Sequence, residues 1–155
     1  MPSSIEIRPK GTDVVASENK VPSFQAEVKV GYGSFFIEAT SDFPPDDPWS
    51  VGMRTVLIEQ APKFAEKDFY EFGFGDGRNA LTVIHSLGKE SRPEKIVGIE
   101  LDEPRIKLAD RNLQAAGDGV PYELVQADAV DWIKNLGEDT TLKGNAVLCL
   151  PQAPL

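Results

Sequence analysis

The stretch FYEFGFGDGRNALTVI, residues 69–84, decides the fold of this chain. An apolar strand pattern runs into Gly73, Gly75 and Gly77, which occupy alternate positions, and a helical pattern follows them. Glycine has no Cβ, so a ligand can approach the backbone closely at such positions. The stretch therefore predicts a strand, a ligand-binding turn and a helix, although a tight turn without a ligand would also explain the glycines.

Strand and helix patterns continue to alternate after this stretch. Buried strands are predicted over residues 95–101, 122–128 and 145–151, and helices over 78–87 and 130–136, with a further helix that Asp102 caps and Gly117 ends. This alternation indicates an α/β fold with about four parallel strands in a Rossmann-like sheet. Open sheets of this kind bind ligands at the carboxyl ends of their strands, so the residues just after each strand are the candidates.

The N-terminal part of the chain has a different pattern. Residues 1–22 carry few apolar anchors and predict a flexible arm. Residues 23–66 predict a β-hairpin, a proline-rich loop (SDFPPDDPWS) and a helix over 51–64 that stops near Gln60 because Pro62 follows. The predicted apolar face of this helix contains Val51, Thr55, Ile58 and Ala61, and it is widened by Met53, Val56 and Leu57. Residues 67–155 then form the predicted core.

Composition narrows the function. The 155 residues suffice for one domain, and 25 acidic against 16 basic residues give a net charge of −9, which disfavours a nucleic-acid partner. Cys149 and His85 are the only residues of their types, so neither a disulfide framework nor a metal site is expected. No apolar run is long enough to span a membrane, and no signal-peptide pattern is visible, so a cytoplasmic location is expected.

Acidic residues flank the glycines and close the second predicted strand. Glu71 precedes the glycines and Asp76 lies between them, so a pyrophosphate would be repelled and a cation would not. Glu100 ends the second strand, where an acid commonly accepts hydrogen bonds from ribose hydroxyls. Leu101 follows it and is placed to cover one face of a base.

The third predicted strand also ends in an acid. Asp128 is placed to accept a hydrogen bond from the exocyclic amine of adenine, and the backbone N–H of Ala129 to donate one to a ring nitrogen. Asp128 is equally suited to cap the next helix, and both roles are compatible.

The order acid-x-G-x-G-x-G, strand-end Glu, strand-end Asp and a proline at the fourth strand end resembles the class I S-adenosylmethionine-dependent methyltransferases over about residues 69–154. The resemblance implies S-adenosyl-L-methionine as cofactor and no metal. It implies that Glu71 and the loop hold the methionine part, and that the later acids hold the ribose and adenine. The implied cofactor-binding set is Glu71, Gly73, Phe74, Gly75, Gly77, Glu100, Leu101, Asp128 and Ala129. Phe43 and Pro44 are implied to lie near the cofactor.

The fourth strand end departs from the nitrogen-methylating members, which have N-P-P-Y or a close relative there. This chain has Cys149, Leu150, Pro151 and Gln152, so Pro151 and Gln152 are the candidate catalytic positions and the choice between a nitrogen and a sulfur acceptor stays open. The acceptor is expected to be a small molecule or a protein. Family members usually have three more strands, so the core looks partial, truncated after the fourth strand. A fragment is one explanation, and a shortened protein that pairs its exposed fourth strand in an oligomer is another.

Two functions from different classes follow. The first is a methyltransferase, or its cofactor-binding portion, which need not be active as this chain alone. The second is a non-catalytic Rossmann-like module that binds a nucleoside or pairs with a partner. A nicotinamide-dependent oxidoreductase is disfavoured because the dinucleotide fingerprint requires a glycine where Arg78 stands.

Overall fold

A computed structural model describes residues 22–31 and 33–136, and the backbone alone of 145–148. Residues 1–21 of the predicted arm and the fourth strand end, with Cys149, Leu150, Pro151 and Gln152, lie outside the described residues. No helix in the described ranges is both long and apolar enough to cross a membrane.

The described chain opens with an antiparallel hairpin. Strands β1 (Ser23–Val30) and β2 (Gly33–Thr40) pair over their full length, with Val28 opposite Phe35. Side chains alternate across a strand, and the alternation here buries Val28, Phe35 and Ile37 on one face. The predicted hairpin is present, and it packs that face on the helices of the core.

Helix α1 (Pro48–Gln60) follows the proline-rich loop and ends, as predicted, ahead of Pro62, where a short 3-10 turn (Ala61–Phe64) takes over. Asp47 caps its first turn by accepting from the backbone N of Ser50. Leu57 is buried as predicted, but the predicted face is wrong in part, because Val51, Thr55 and Val56 are exposed. Ser50, which was not predicted to be buried, lies inside. The face is rotated because Ser50 is held inside by a polar contact described below.

The core is a parallel four-stranded sheet in the order β5-β4-β3-β6. Its strands are β3 (Asp68–Phe72), β4 (Lys95–Glu100), β5 (Tyr122–Gln126) and β6 (Asn145–Leu148). The crossover helices are α2 (Arg78–His85), α3 (Glu103–Ala116) and α4 (Ala129–Lys134). β4 and β6 lie on opposite sides of β3, so the chain changes direction across the sheet at β3. Such a switch point opens a crevice at the carboxyl end of the strand.

Apolar side chains cover both faces of this sheet. One cluster joins the hairpin, α1, α2 and α3 to the face that carries Phe69 and Ile96. A smaller cluster on the other face packs Phe72, Val97 and Ile99 against Trp132 of α4. The predicted α/β Rossmann-like sheet with an N-terminal hairpin and helix is thus confirmed.

Candidate functional site

The glycine turn lies at the switch point, between β3 and α2. The backbone N–H groups of Gly73 and Phe74 donate to the carbonyl of Ile99 at 2.8 and 3.1 Å, which ties the turn to β4. Gly75 has φ +62°, and a Cβ built there would meet no atom within 4 Å. The backbone is therefore left-handed and open on the side that faces away from the core, as a close approach by a ligand requires.

The ring of Phe74 is buried underneath this turn. Phe74 is 3% exposed, and a Cβ at Gly98 in β4 would lie 2.5 Å from its Cγ and Cδ1 atoms. The ring thus occupies the space that any side chain at position 98 would fill. Phe74 is a predicted cofactor-binding residue; its ring packs against Gly98, and the residue also lines the cavity described below.

Glu100 projects its carboxylate onto the glycine turn. Oε1 accepts from the backbone N of Gly75 at 2.8 Å, and Oε2 accepts from the backbone N of Asp102 at 3.0 Å. A carboxylate has about four acceptor sites, so each oxygen retains capacity for one more donor. The acid at the end of the second core strand and the turn after the first therefore form one unit.

Asp128 and Ala129 follow the neighbouring strand β5. Oδ1 of Asp128 accepts from the backbone N of Val130 at 2.9 Å and of Asp131 at 3.1 Å, so Asp128 caps α4. This is the capping role that the sequence left open beside adenine recognition. Oδ2 takes no part in the cap, so the geometry leaves an oxygen for a second role. Leu101 is 60% exposed at the same edge of the sheet.

Glu71 is fully buried at the end of β3, and its Oε2 accepts from the side-chain amide of Asn79 at 2.8 Å. Burial of a carboxylate is costly unless donors compensate it, so Asn79 fixes the side chain in one orientation. Asn79, in the first turn of α2, is a residue that the sequence interpretation missed.

A cavity of about 240 Å³ opens beside these groups. Glu71, Gly73, Phe74 and Gly75 line one wall, together with Asn79. The other wall comes from residues 42–50 of the lead-in segment and includes Phe43, Pro44, Trp49 and Ser50; Asp76 and Arg78 also line the cavity. Phe43 and Pro44 therefore lie across the cavity from the glycine turn. Gly77, Glu100, Leu101, Asp128 and Ala129 do not line this cavity; all but Gly77 lie at the carboxyl ends of β4 and β5.

Asp76 does not offer a free charge to the cavity. Its carboxylate forms a buried ion pair with Arg78, with Nη2–Oδ2 at 2.7 Å, and both side chains are 6% exposed. The sequence counted Asp76 as an uncompensated acid that would repel an anion, and that expectation is wrong because the adjacent guanidinium balances it. Arg78, considered from sequence only as a misfit to the dinucleotide fingerprint, is a structural part of the site.

Asn112 of α3 joins the hairpin to the glycine turn. It exchanges two hydrogen bonds with the backbone of Glu38, at 2.8 and 3.1 Å, and its Nδ2 donates to the carbonyl of Asp76 at 2.9 Å. Its side chain is buried in α3 beside the apolar Leu113. A buried asparagine there costs free energy unless its amide is used for such bonds.

The two tryptophans and the single histidine lie in different settings. The ring of His85 stacks on Phe35 at 5.1 Å, and its Nε2 lies 2.7 Å from the carbonyl of Ala116, so its side chain has partners away from the strand ends. Trp132 packs on Phe72, whereas Trp49 lines the cavity and is 39% exposed. Within the described residues, no cluster of His, Cys, Asp or Glu is arranged to hold a metal ion.

No protein-family model and no curated protein sequence matches the chain. Solved structures do match. The SAM-dependent methyltransferase from Agrobacterium tumefaciens superposes with a TM-score of 0.54 at 13% identity, over 76% of this chain and 37% of that one. A candidate SAM-dependent methyltransferase from Streptococcus mutans gives 0.51 at 14% identity, over 72% and 28%.

A candidate RNA methyltransferase from Pyrococcus horikoshii gives a TM-score of 0.50 at 12% identity, over 68% of this chain and 46% of that one. The chain therefore spans less than half the length of each of these structures. Identities this low speak to the fold. The chain has the Rossmann-like fold of the class I S-adenosylmethionine-dependent methyltransferases.

Proposed function

We propose that this chain binds S-adenosyl-L-methionine and forms the cofactor-binding portion of a methyltransferase that acts on a small-molecule or protein nucleophile. The observation that carries the proposal is the 2.8 Å bond between the Glu100 carboxylate and the backbone N of Gly75. This bond joins Glu100, an acid suited to accept from ribose hydroxyls, to the glycine turn, whose backbone a ligand can approach closely. Solved methyltransferases of the same fold support it.

The residues present fit this cofactor. Glu100 keeps acceptor capacity for the two ribose hydroxyls, and charge-assisted bonds of this kind contribute about 1.5–3 kcal/mol each. Buried Glu71, oriented by Asn79, suits the cationic amino group of the methionine part. Asp128 and the N–H of Ala129 suit the edge of the adenine ring, and exposed Leu101 one of its faces.

When bound, S-adenosylmethionine supplies a methyl group on a positively charged sulfur. Displacement at that methyl requires the acceptor lone pair to be in line, so the contribution of this chain is mainly position and electrostatics. Because Glu71, Glu100 and Asp128 interact with the ligand before reaction, they should govern affinity before rate. The acceptor, nitrogen or sulfur, is expected to meet the fourth strand end, where Pro151 and Gln152 stand.

Calorimetry with S-adenosylhomocysteine tests the proposal. Wild-type protein is expected to bind, and Glu100→Gln to weaken binding by about 1–3 kcal/mol, roughly 5- to 150-fold, because a charge-assisted acceptor is lost. Glu103→Gln is the matched control, since this carboxylate lies three residues further along and pairs with Lys107 at 3.4 Å. Absence of heat at millimolar ligand would contradict the proposal and favour a non-catalytic module that pairs with a partner.

A further inference from the structure

We propose that Arg78 is a positioning residue for this site. Its guanidinium holds residues 42–50 in place as the second wall of the cavity, so ligand affinity depends on the hydrogen bonds that Arg78 makes to this wall. The effect on the ligand rests on the proposed function, whereas the effect on the wall is a property of the chain alone.

The guanidinium of Arg78 connects three places in the fold. It pairs with Asp76 of the glycine turn through Nε at 3.0 Å and Nη2 at 2.7 Å. Nη1 donates to the hydroxyl of Ser50 in the first turn of α1 at 2.8 Å, and Nη2 donates to the carbonyl of Phe43 at 2.6 Å. The guanidinium carbon also lies 4.0 Å from the centre of the Phe43 ring. One side chain therefore joins the glycine turn to both ends of the wall.

Arginine is suited to this task in a way that lysine is not. Its planar fork presents five N–H donors in fixed directions, and it stacks on aromatic rings. Lysine has a single charged nitrogen and no plane to place on Phe43. Arg78 is 5% exposed, so its charge is balanced by Asp76 rather than by solvent. The Asp76–Arg78 pair is therefore part of the interior, and its fixed position determines where the bonded groups of Ser50 and Phe43 lie.

In the described part of the chain, the other hydrogen bonds of the wall join it to residues nearby in the sequence. The backbone N of Phe43 donates to Thr40 and that of Asp47 to Pro44, which are local turn bonds. Arg54 of α1 donates to the carbonyl of Pro45 at 3.2 Å. These bonds shape the loop, but they do not connect it to the glycine turn. Loss of the Arg78 bonds should therefore loosen the wall before it loosens the sheet.

Hydrogen exchange of the ligand-free protein tests the wall directly. In Arg78→Met, the amides of Phe43 and Asp47 are expected to exchange about tenfold faster, the effect of losing one to two net hydrogen bonds, while β3 and β4 amides keep their rates. Arg92→Met is the matched control, because Arg92 also joins a carbonyl (Leu87, 3.1 Å) to a carboxylate (Asp118, 3.0 Å), away from the cavity. Unchanged exchange at Phe43 and Asp47, or an equal rise in β3 and β4, would overturn the proposal.

Two further variants keep the test decisive if Arg78→Met does not fold. Asp76→Asn with Arg78→Met removes both charges and so avoids an uncompensated buried carboxylate. Ser50→Ala leaves the ion pair intact and removes one bond to the wall, so a rise of a few-fold confined to the same amides is expected. Wild-type rates in both would refute the role of Arg78.

Trp49 provides the ligand readout, because it lies in the wall next to Ser50. Trp132→Phe leaves Trp49 as the sole tryptophan. In this background, S-adenosylhomocysteine should reduce quenching of Trp49 by acrylamide, and Arg78→Met should weaken ligand binding about tenfold, with Arg92→Met unchanged. If wild-type protein binds no ligand, the proposed function fails while hydrogen exchange still decides the wall. If Arg78→Met binds as tightly as wild type, the positioning role is wrong.

Discussion

Gly98→Ala is expected to displace the glycine turn from below. The new Cβ would lie 2.5 Å from Cγ and Cδ1 of Phe74 and 2.9 Å from Cδ2, about 1 Å inside an ordinary contact. Phe74 is 3% exposed, so its ring cannot simply swing into solvent. Because Phe74 lies between Gly73 and Gly75, relief requires the turn to move. Overpacking of this kind costs about 1–3 kcal/mol of unfolding free energy.

Urea unfolding measures that loss, and calorimetry with S-adenosylhomocysteine measures the effect on the turn. Gly52→Ala is the control, because Gly52 lies in α1 with no atom within 4 Å of an added Cβ, so it should be neutral or stabilising by up to about 1 kcal/mol. Phe74→Leu combined with Gly98→Ala should cost less than the sum of the single changes, since the smaller side chain leaves room for the methyl group. A Gly98→Ala protein as stable as wild type would refute the reasoning.

Two other predictions use titration and substitution. Asp128→Ser should preserve the free energy of unfolding, because serine also caps helices, and urea unfolding measures this. The same change should weaken S-adenosylhomocysteine binding in calorimetry, because the serine side chain is too short to reach a ligand. Unchanged affinity would mean that Asp128 acts only as the cap of α4. The hydrogen bond from Arg111 lowers the pKa of Glu38 below 4.5, so this pair stabilises the fold above about pH 4.5 and the contribution is lost as pH falls through the lower folded-state pKa. Glu38→Gln should therefore flatten the acid limb of the stability–pH curve, and an unaltered limb would contradict the assignment.

The order of strands and helices was predictable because it depends on local pattern. Asp102 caps α3 and Gly117 ends it, as their positions in the sequence indicate. β4 and β5 end within two residues of their predicted bounds. The face of α1 was not predictable in this way. Hydropathy favoured Val51, but Ser50 is buried because Arg78, 28 residues later, donates to it. A pattern of apolar residues cannot identify a hydrogen-bond partner that is distant in the sequence.

Some contacts of the site were likewise predictable from the sequence, and others were not. That Glu100 meets the glycine turn follows from sheet topology, because neighbouring parallel strands bring their carboxyl ends to one edge. That Asn79 orients Glu71, or that Asn112 bonds the carbonyl of Asp76, depends on helix rotation and on side-chain reach. These polar residues occupy positions where burial requires a specific partner, and the partner is identified only by tertiary packing.

The charge of the site shows why pairing matters more than composition. From sequence, Glu71 and Asp76 both count toward a negative turn. In the structure, Arg78 balances Asp76 inside the protein, so this acid serves architecture. The other acids near the cavity are Glu71, Asp42 and Asp47, with Glu100 at the end of β4. Glu71 lies in the cavity wall and Glu100 at the sheet edge, so a ligand that uses both must span from the turn to the strand end. A nucleoside with a cationic tail meets that requirement, whereas a simple cation would engage one carboxylate alone.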